Sequence, residues 1–132
     1  MSSQPPVIAI HNNLETFYPF LSRAEDSGLF NKRKYRGDRA LFWLDDPKLV
    51  FVTAPIPDVE LILDRWGFPG TRIHAPDKPT HQLCLNILNE TALLEEIVKF
   101  AGSERTIQIV PYATTPELFQ LVETLRSRYK LE

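Results

Sequence analysis

Glycine-rich phosphate loops are missing from this sequence. Its five glycines, Gly28, Gly37, Gly67, Gly70 and Gly102, are dispersed and form neither G-x-G-x-x-G nor G-x-x-x-x-G-K-[ST]. The turn His11-Asn12-Asn13-Leu14 contains no glycine to let a pyrophosphate approach the backbone, which argues against tight dinucleotide binding. Cysteine is almost absent as well: Cys84 stands alone, so no internal disulfide exists and a reducing compartment, the cytoplasm, is expected. No apolar run approaches the roughly 20 residues that cross a bilayer, and Met1–Pro6 lacks the basic and apolar regions of a signal peptide. Charge of one sign is not in surplus either. Fifteen Lys and Arg against seventeen Asp and Glu leave a net charge of -2, so no global field attracts nucleic acid or an anionic membrane.

What remains is the composition of an ordinary folded domain. The 132 residues are 43% hydrophobic and 24% charged, and a chain of this size hides roughly two-thirds of its unfolded surface. Val7–Ile10 reads as a short β-branched strand, followed by a helical pattern over Leu14–Leu29 that Pro19 interrupts. Leu41–Leu44 fits a short strand or a buried loop. Leu49–Ala54 is a continuous apolar run, as in a strand covered on both faces of a parallel sheet. A helix follows with Val59, Ile62, Leu63 and Trp66 at helical spacing, ended by Gly67, and Thr71–Ala75 is the next strand. Leu83–Leu88 is too short to classify by period. Asn89 or Thr91 can cap a helix that buries Leu93, Leu94, Ile97, Val98 and Ala101 and stops at Gly102. Ile107–Val110 is the fourth strand. Pro116–Tyr129 is the last helix, capped by Thr114 or Thr115, with Leu118, Leu121, Val122 and Leu125 on its buried stripe.

Strands alternating with helices predict an α/β domain spanning residues 1–130: three layers, a mostly parallel, Rossmann-like sheet of about four to five strands, helices on both faces. The final Leu131-Glu132 is what a restriction-site scar before a purification tag leaves, and the chain is expected to be a piece of a longer protein.

Such sheets bind ligands beyond the carboxyl ends of their strands. The rim expected there consists of His11, Asn12 and Asn13 after the first strand, Thr53 and Ala54 after the second, His74 ending the third, and Tyr112, Ala113 and Thr114 after the fourth. These residues are the substrate-facing or domain-interface candidates, although Asn12, Asn13 and Thr114 are also explained as helix caps. Asn31–Arg39 holds five basic residues in nine; Arg33, Lys34 and Arg36 are anion-binding candidates, against a solvated connector as the plainer reading. His74, Asp77, His81 and Cys84 match no compact zinc spacing, so no metal site is expected. Cys84 between Leu83 and Leu85 reads as a buried thiol, Asp45-Asp46-Pro47 as a turn, and Phe42, Trp43 and Trp66 as core. No catalytic residue is assigned.

The run Leu49-Val50-Phe51-Val52-Thr53-Ala54-Pro55-Ile56-Pro57, leading to a helix that ends at Trp66-Gly67-Phe68, is one half of a resemblance. The other half is Ile107-Gln108-Ile109-Val110-Pro111-Tyr112-Ala113-Thr114-Thr115-Pro116-Glu117 opening the last helix. Together they resemble the N-terminal pre-ATP-grasp domain of ATP-grasp ligases of the carboxylate–amine ligase type, over most of the chain from about Lys48 onward. The resemblance implies a following ATP-grasp module that binds ATP and Mg²⁺ and activates a carboxylate as an acyl phosphate for capture by an amine. It implies that this domain binds neither cofactor, shapes the acceptor side and turns Tyr112, Ala113 and Thr114 toward the module. A free-standing binding or oligomerising module, a homodimer included, is the rival. Anion or RNA binding through Lys32–Arg39 ranks below it, and a stand-alone enzyme ranks last.

Overall fold

The computed structural model describes residues 4–15, 36–43 and 46–132. Four short strands, β1 (Val7–Ile10), β2 (Lys48–Phe51), β3 (Thr71–His74) and β4 (Gln108–Pro111), form one all-parallel sheet in the order β3-β2-β1-β4. β1 is central: Ile8 lies opposite Leu49 of β2 on one side and Ile109 of β4 on the other. The chain therefore winds outward from β1 through β2 to β3, then crosses back to place β4 on the opposite flank of β1. Crossovers keep one hand, so reversing the direction of travel moves the helices to the other face.

The core divides accordingly. On one face, α1 (Val59–Trp66) and a 3-10 helix (Arg36–Phe42) cover Ala9, Val50 and Val52 with Ala40, Leu41 and Ile56. On the other, α2 (Leu83–Leu88), α3 (Thr91–Ala101) and α4 (Pro116–Ser127) cover Ile8, Ile10, Leu49 and Phe51 with Leu83, Ile87, Leu94, Ile97 and Leu121. Side chains that alternate along each strand thus feed two separate cores, which is why Val7–Ile10 and Leu49–Val52 read as unbroken apolar runs. Gly37 brings the 3-10 helix close to the sheet, since a Cβ there would lie 2.5 Å from Val52 Cγ1. The three-layer parallel α/β architecture expected from the sequence is the one observed.

Several local expectations are corrected. Leu41–Leu44 is neither strand nor loop at its start; Leu41 and Phe42 finish the 3-10 helix, whose amphipathic spacing over seven residues is too short to register as a period. The unclassified Leu83–Leu88 is a helix. α3 is capped at Glu90, without a side-chain cap bond, rather than at Asn89 or Thr91. Phe42 and Trp66, assigned to the core, are 50% and 63% exposed: α1, which carries Trp66, buries no residue completely, and Phe42 ends the 3-10 helix beside it. Their rings meet edge to face at 5.7 Å. The helix expected over Leu14–Leu29 lies outside the described residues except for Leu14 and Glu15, which close a short 3-10 turn after β1. No described helix is long and apolar enough to cross a membrane.

Candidate functional site

The winding direction reverses between β1 and β4, so their carboxyl ends diverge and leave the crevice where open α/β sheets hold ligands. Here two side chains from the turn after β1 fill it. Asn12 is 1% exposed and turns both amide atoms to the segment just after β4: Oδ1 accepts from Tyr112 N at 3.0 Å and Ala113 N at 3.1 Å, while Nδ2 donates to Ala113 O at 2.8 Å. Nδ2 also donates to Glu15 Oε1 at 2.9 Å. Glu15, itself buried, collects the remaining donors: Thr115 Oγ1 at 2.7 Å on Oε1, and the Cys84 backbone N–H on Oε2. Thr115 completes the chain of contacts by accepting from Leu118 N at 3.1 Å, the N-cap bond of α4. One connected network thereby joins β1, α2, β4 and α4.

Beside this buckle sits an aromatic group. The His11 ring, 2% exposed, lies 5.4 Å from both Trp43 and Tyr112, and those two rings stack at 6.5 Å with 20° between their planes. Burial, and secondarily the Arg39 guanidinium, holds the His11 pKa below its ordinary value; Asp38 and the Asn13 side chain pull weakly the other way. Among the described residues its Nε2 has no hydrogen-bond partner. Tyr112 is half exposed and gives the group its open side.

The other rim candidates separate from this centre. Thr53 and Ala54 are buried, and Thr114 is exposed next to the true cap, Thr115. His74 faces α3, with Nε2 3.6 Å from Glu96 Oε2. Arg33 and Lys34 lie outside the described residues; Arg36 opens the 3-10 helix. Among the described residues no three His, Cys, Asp or Glu side chains converge as a metal site would require, and His74, Asp77, His81 and Cys84 form no such cluster. Cys84 is buried, and burial, followed by the Glu15 carboxylate, pushes its thiol above the usual range, which disfavours the reactive thiolate. Glu15 is the member that sequence reasoning missed; Thr115 was read only as one of two candidate caps of the last helix, and it is that cap. The pair Asn12-x-x-Glu15 is a capping-like spacing that could have drawn attention to Glu15.

The fold and this rim define an open, doubly wound parallel α/β domain with a self-filled switch-point crevice. No protein-family model, curated protein or solved structure matches the chain.

Proposed function

We propose that the chain is an accessory domain of an ATP-dependent ligase of the ATP-grasp, carboxylate–amine type. Its strand-end rim around His11, Trp43 and Tyr112 serves the acceptor substrate and the catalytic module. That module holds ATP and Mg²⁺ and carries out acyl phosphate formation. The observation that carries this reading is the Asn12–Glu15 buckle. Where a nucleotide-binding sheet leaves backbone free at β1 and β4, this domain commits both strand ends to its own side chains. A half-exposed tyrosine over a buried histidine leaves a rim suited to touching a ligand held elsewhere.

Two measurements test it. Calorimetry of the chain with Mg-ATP gives no micromolar affinity, and tight binding to the chain alone overturns the proposal. Joined to its ATP-grasp module, the domain supports ADP formation that depends on an amine acceptor. Tyr112→Ala then raises KM for the acceptor while KM for ATP stays. An unchanged acceptor KM removes the rim from the reaction.

A further inference from the structure

His11 holds one hydrogen-bonding atom unused within the rim. The residue is 2% exposed, and among the described residues its Nε2 meets neither donor nor acceptor. Buried ring nitrogens are as a rule satisfied, so an unpartnered one beside an open rim points to a ligand. The hydrogen bonds that His11 does make run to its own backbone carbonyl and to the Asn13 side chain. Because Nε2 makes none, they fall to Nδ1, which carries the proton and leaves a lone pair on Nε2. What Nε2 can bond is therefore a donor.

The surroundings narrow the chemistry of that donor. Trp43 and Tyr112, each 5.4 Å from the His11 ring, stand 20° from parallel with their centroids 6.5 Å apart. That separation is at the loose end of the ~4.5–7 Å range for aromatic pairs, so neither ring is tightly held by the other. Tyr112 is half exposed, and a turn of its ring admits a guest to His11. Flat aromatic walls favour a flat guest. The Arg39 guanidinium biases the His11 ring against a proton, and Asp38 offsets it only in part. A cationic donor meets the same bias and the same burial, so a neutral N–H is preferred to an ammonium. Anions find no backbone cradle, because Asn12 Oδ1 already takes the Tyr112 and Ala113 N–H groups.

We infer that this rim takes a neutral aromatic amine, its ring laid against Trp43 and Tyr112 and its N–H donated to His11 Nε2. The inference rests on the reading of the rim as an acceptor side and names the class of amine accepted there. An aromatic amine is uncharged at neutral pH, whereas an alkylamine is an ammonium ion. The first supplies the plane, the donor and the missing charge that the site selects for; the second supplies only the donor.

Four probes titrated into the chain alone near neutral pH test it: aniline, N,N-dimethylaniline, toluene and cyclohexylamine, with nitrogen NMR of the imidazoles as the readout. Aniline binds about tenfold more tightly than N,N-dimethylaniline or toluene, which offer the same ring without an N–H, and it shifts the His11 Nε2 resonance. Cyclohexylamine, charged and not flat, leaves that resonance in place. His11→Phe keeps a ring between Trp43 and Tyr112 and brings aniline down to the level of toluene. Should that variant not fold, the four probes on the parent chain decide alone. Equal affinities for aniline and its dimethyl form overturn the inference, as does aniline binding that His11→Phe leaves unchanged; the ligase reading then keeps its own test with the joined module. Selective aniline binding without amine-dependent ADP formation by the joined protein upholds the site and overturns the ligase reading instead.

Discussion

Polar side chains sew this sheet together at both ends, in two different ways. At the carboxyl end, between β1 and β4, Asn12 and Glu15 are buried, bond to each other, and otherwise reach neighbouring elements. At the amino end, between β2 and β3, Asp46 accepts from Gly70 N at 2.8 Å and from Thr71 Oγ1 at 2.7 Å. Lys48, fully buried, reaches Thr71 Oγ1 at 3.3 Å and lies 4.1 Å from the Phe68 ring centroid. The first cluster bridges strands about a hundred residues apart in sequence, across the crevice that the reversed winding creates. The second joins consecutive strands that α1 already connects. A network spanning a topological break ties together strands far apart in the chain; one between neighbours only secures their register.

The contrast predicts unequal costs. Glu15→Ala leaves the Cys84 amide, the Thr115 hydroxyl and one Asn12 proton without an acceptor in a buried site, so it destabilises by about 3–5 kcal/mol. Glu15→Gln keeps one acceptor but turns an amide NH₂ toward a donor, and costs about 1–3 kcal/mol. Urea unfolding measures both. A loss below 1 kcal/mol for Glu15→Ala would make the buckle ornamental.

Thr71→Val tests the other end. It removes the bond to Asp46 Oδ1 and the contact from Lys48, yet Gly70 N still holds Asp46 Oδ2, so about 1–2 kcal/mol is lost. If this substitution costs more than Glu15→Ala, the ordering of the two clusters is reversed and the argument from topology fails.

How much of this was legible in the sequence follows from the range of each interaction. Leu49–Ala54 and the stripe Leu118, Leu121, Leu125 announce themselves because burial imposes a local period. Thr115 as cap, followed by Pro116 and Glu117, is equally local. The amide of Asn12 is not: its partners Tyr112 and Ala113 are named only by strand order, and strand order leaves no trace in composition. Asn12 could be placed at the rim but not distinguished from a cap, and Glu15 fell within a helical pattern that gave it no reason to be buried. Trp66 errs in the opposite direction, since helical spacing predicts a stripe but not how far the neighbouring layer extends over it.

The smallest expected effect separates His11 from the buckle it adjoins. Its pKa lies below the ordinary 6.5 in the fold, chiefly through desolvation and then through Arg39, so the folded domain favours the neutral ring more than the unfolded chain does. The sign follows: the contribution is fully present above pH 6.5 and is lost as pH falls from there through the folded value. His11→Phe keeps a planar ring between Trp43 and Tyr112 but removes the titration. Stability of the variant therefore declines less steeply than that of the parent between pH 6.5 and pH 5. A backbone hydrogen bond at His11, then Asp38 on the 3-10 helix and the Asn13 side chain, oppose the shift. Urea midpoints taken for both proteins across that range decide the matter. Parallel curves mean that the histidine ring acts only as an aromatic filler between Trp43 and Tyr112, whereas a steeper decline in the parent makes its neutral form part of what holds the rim in place.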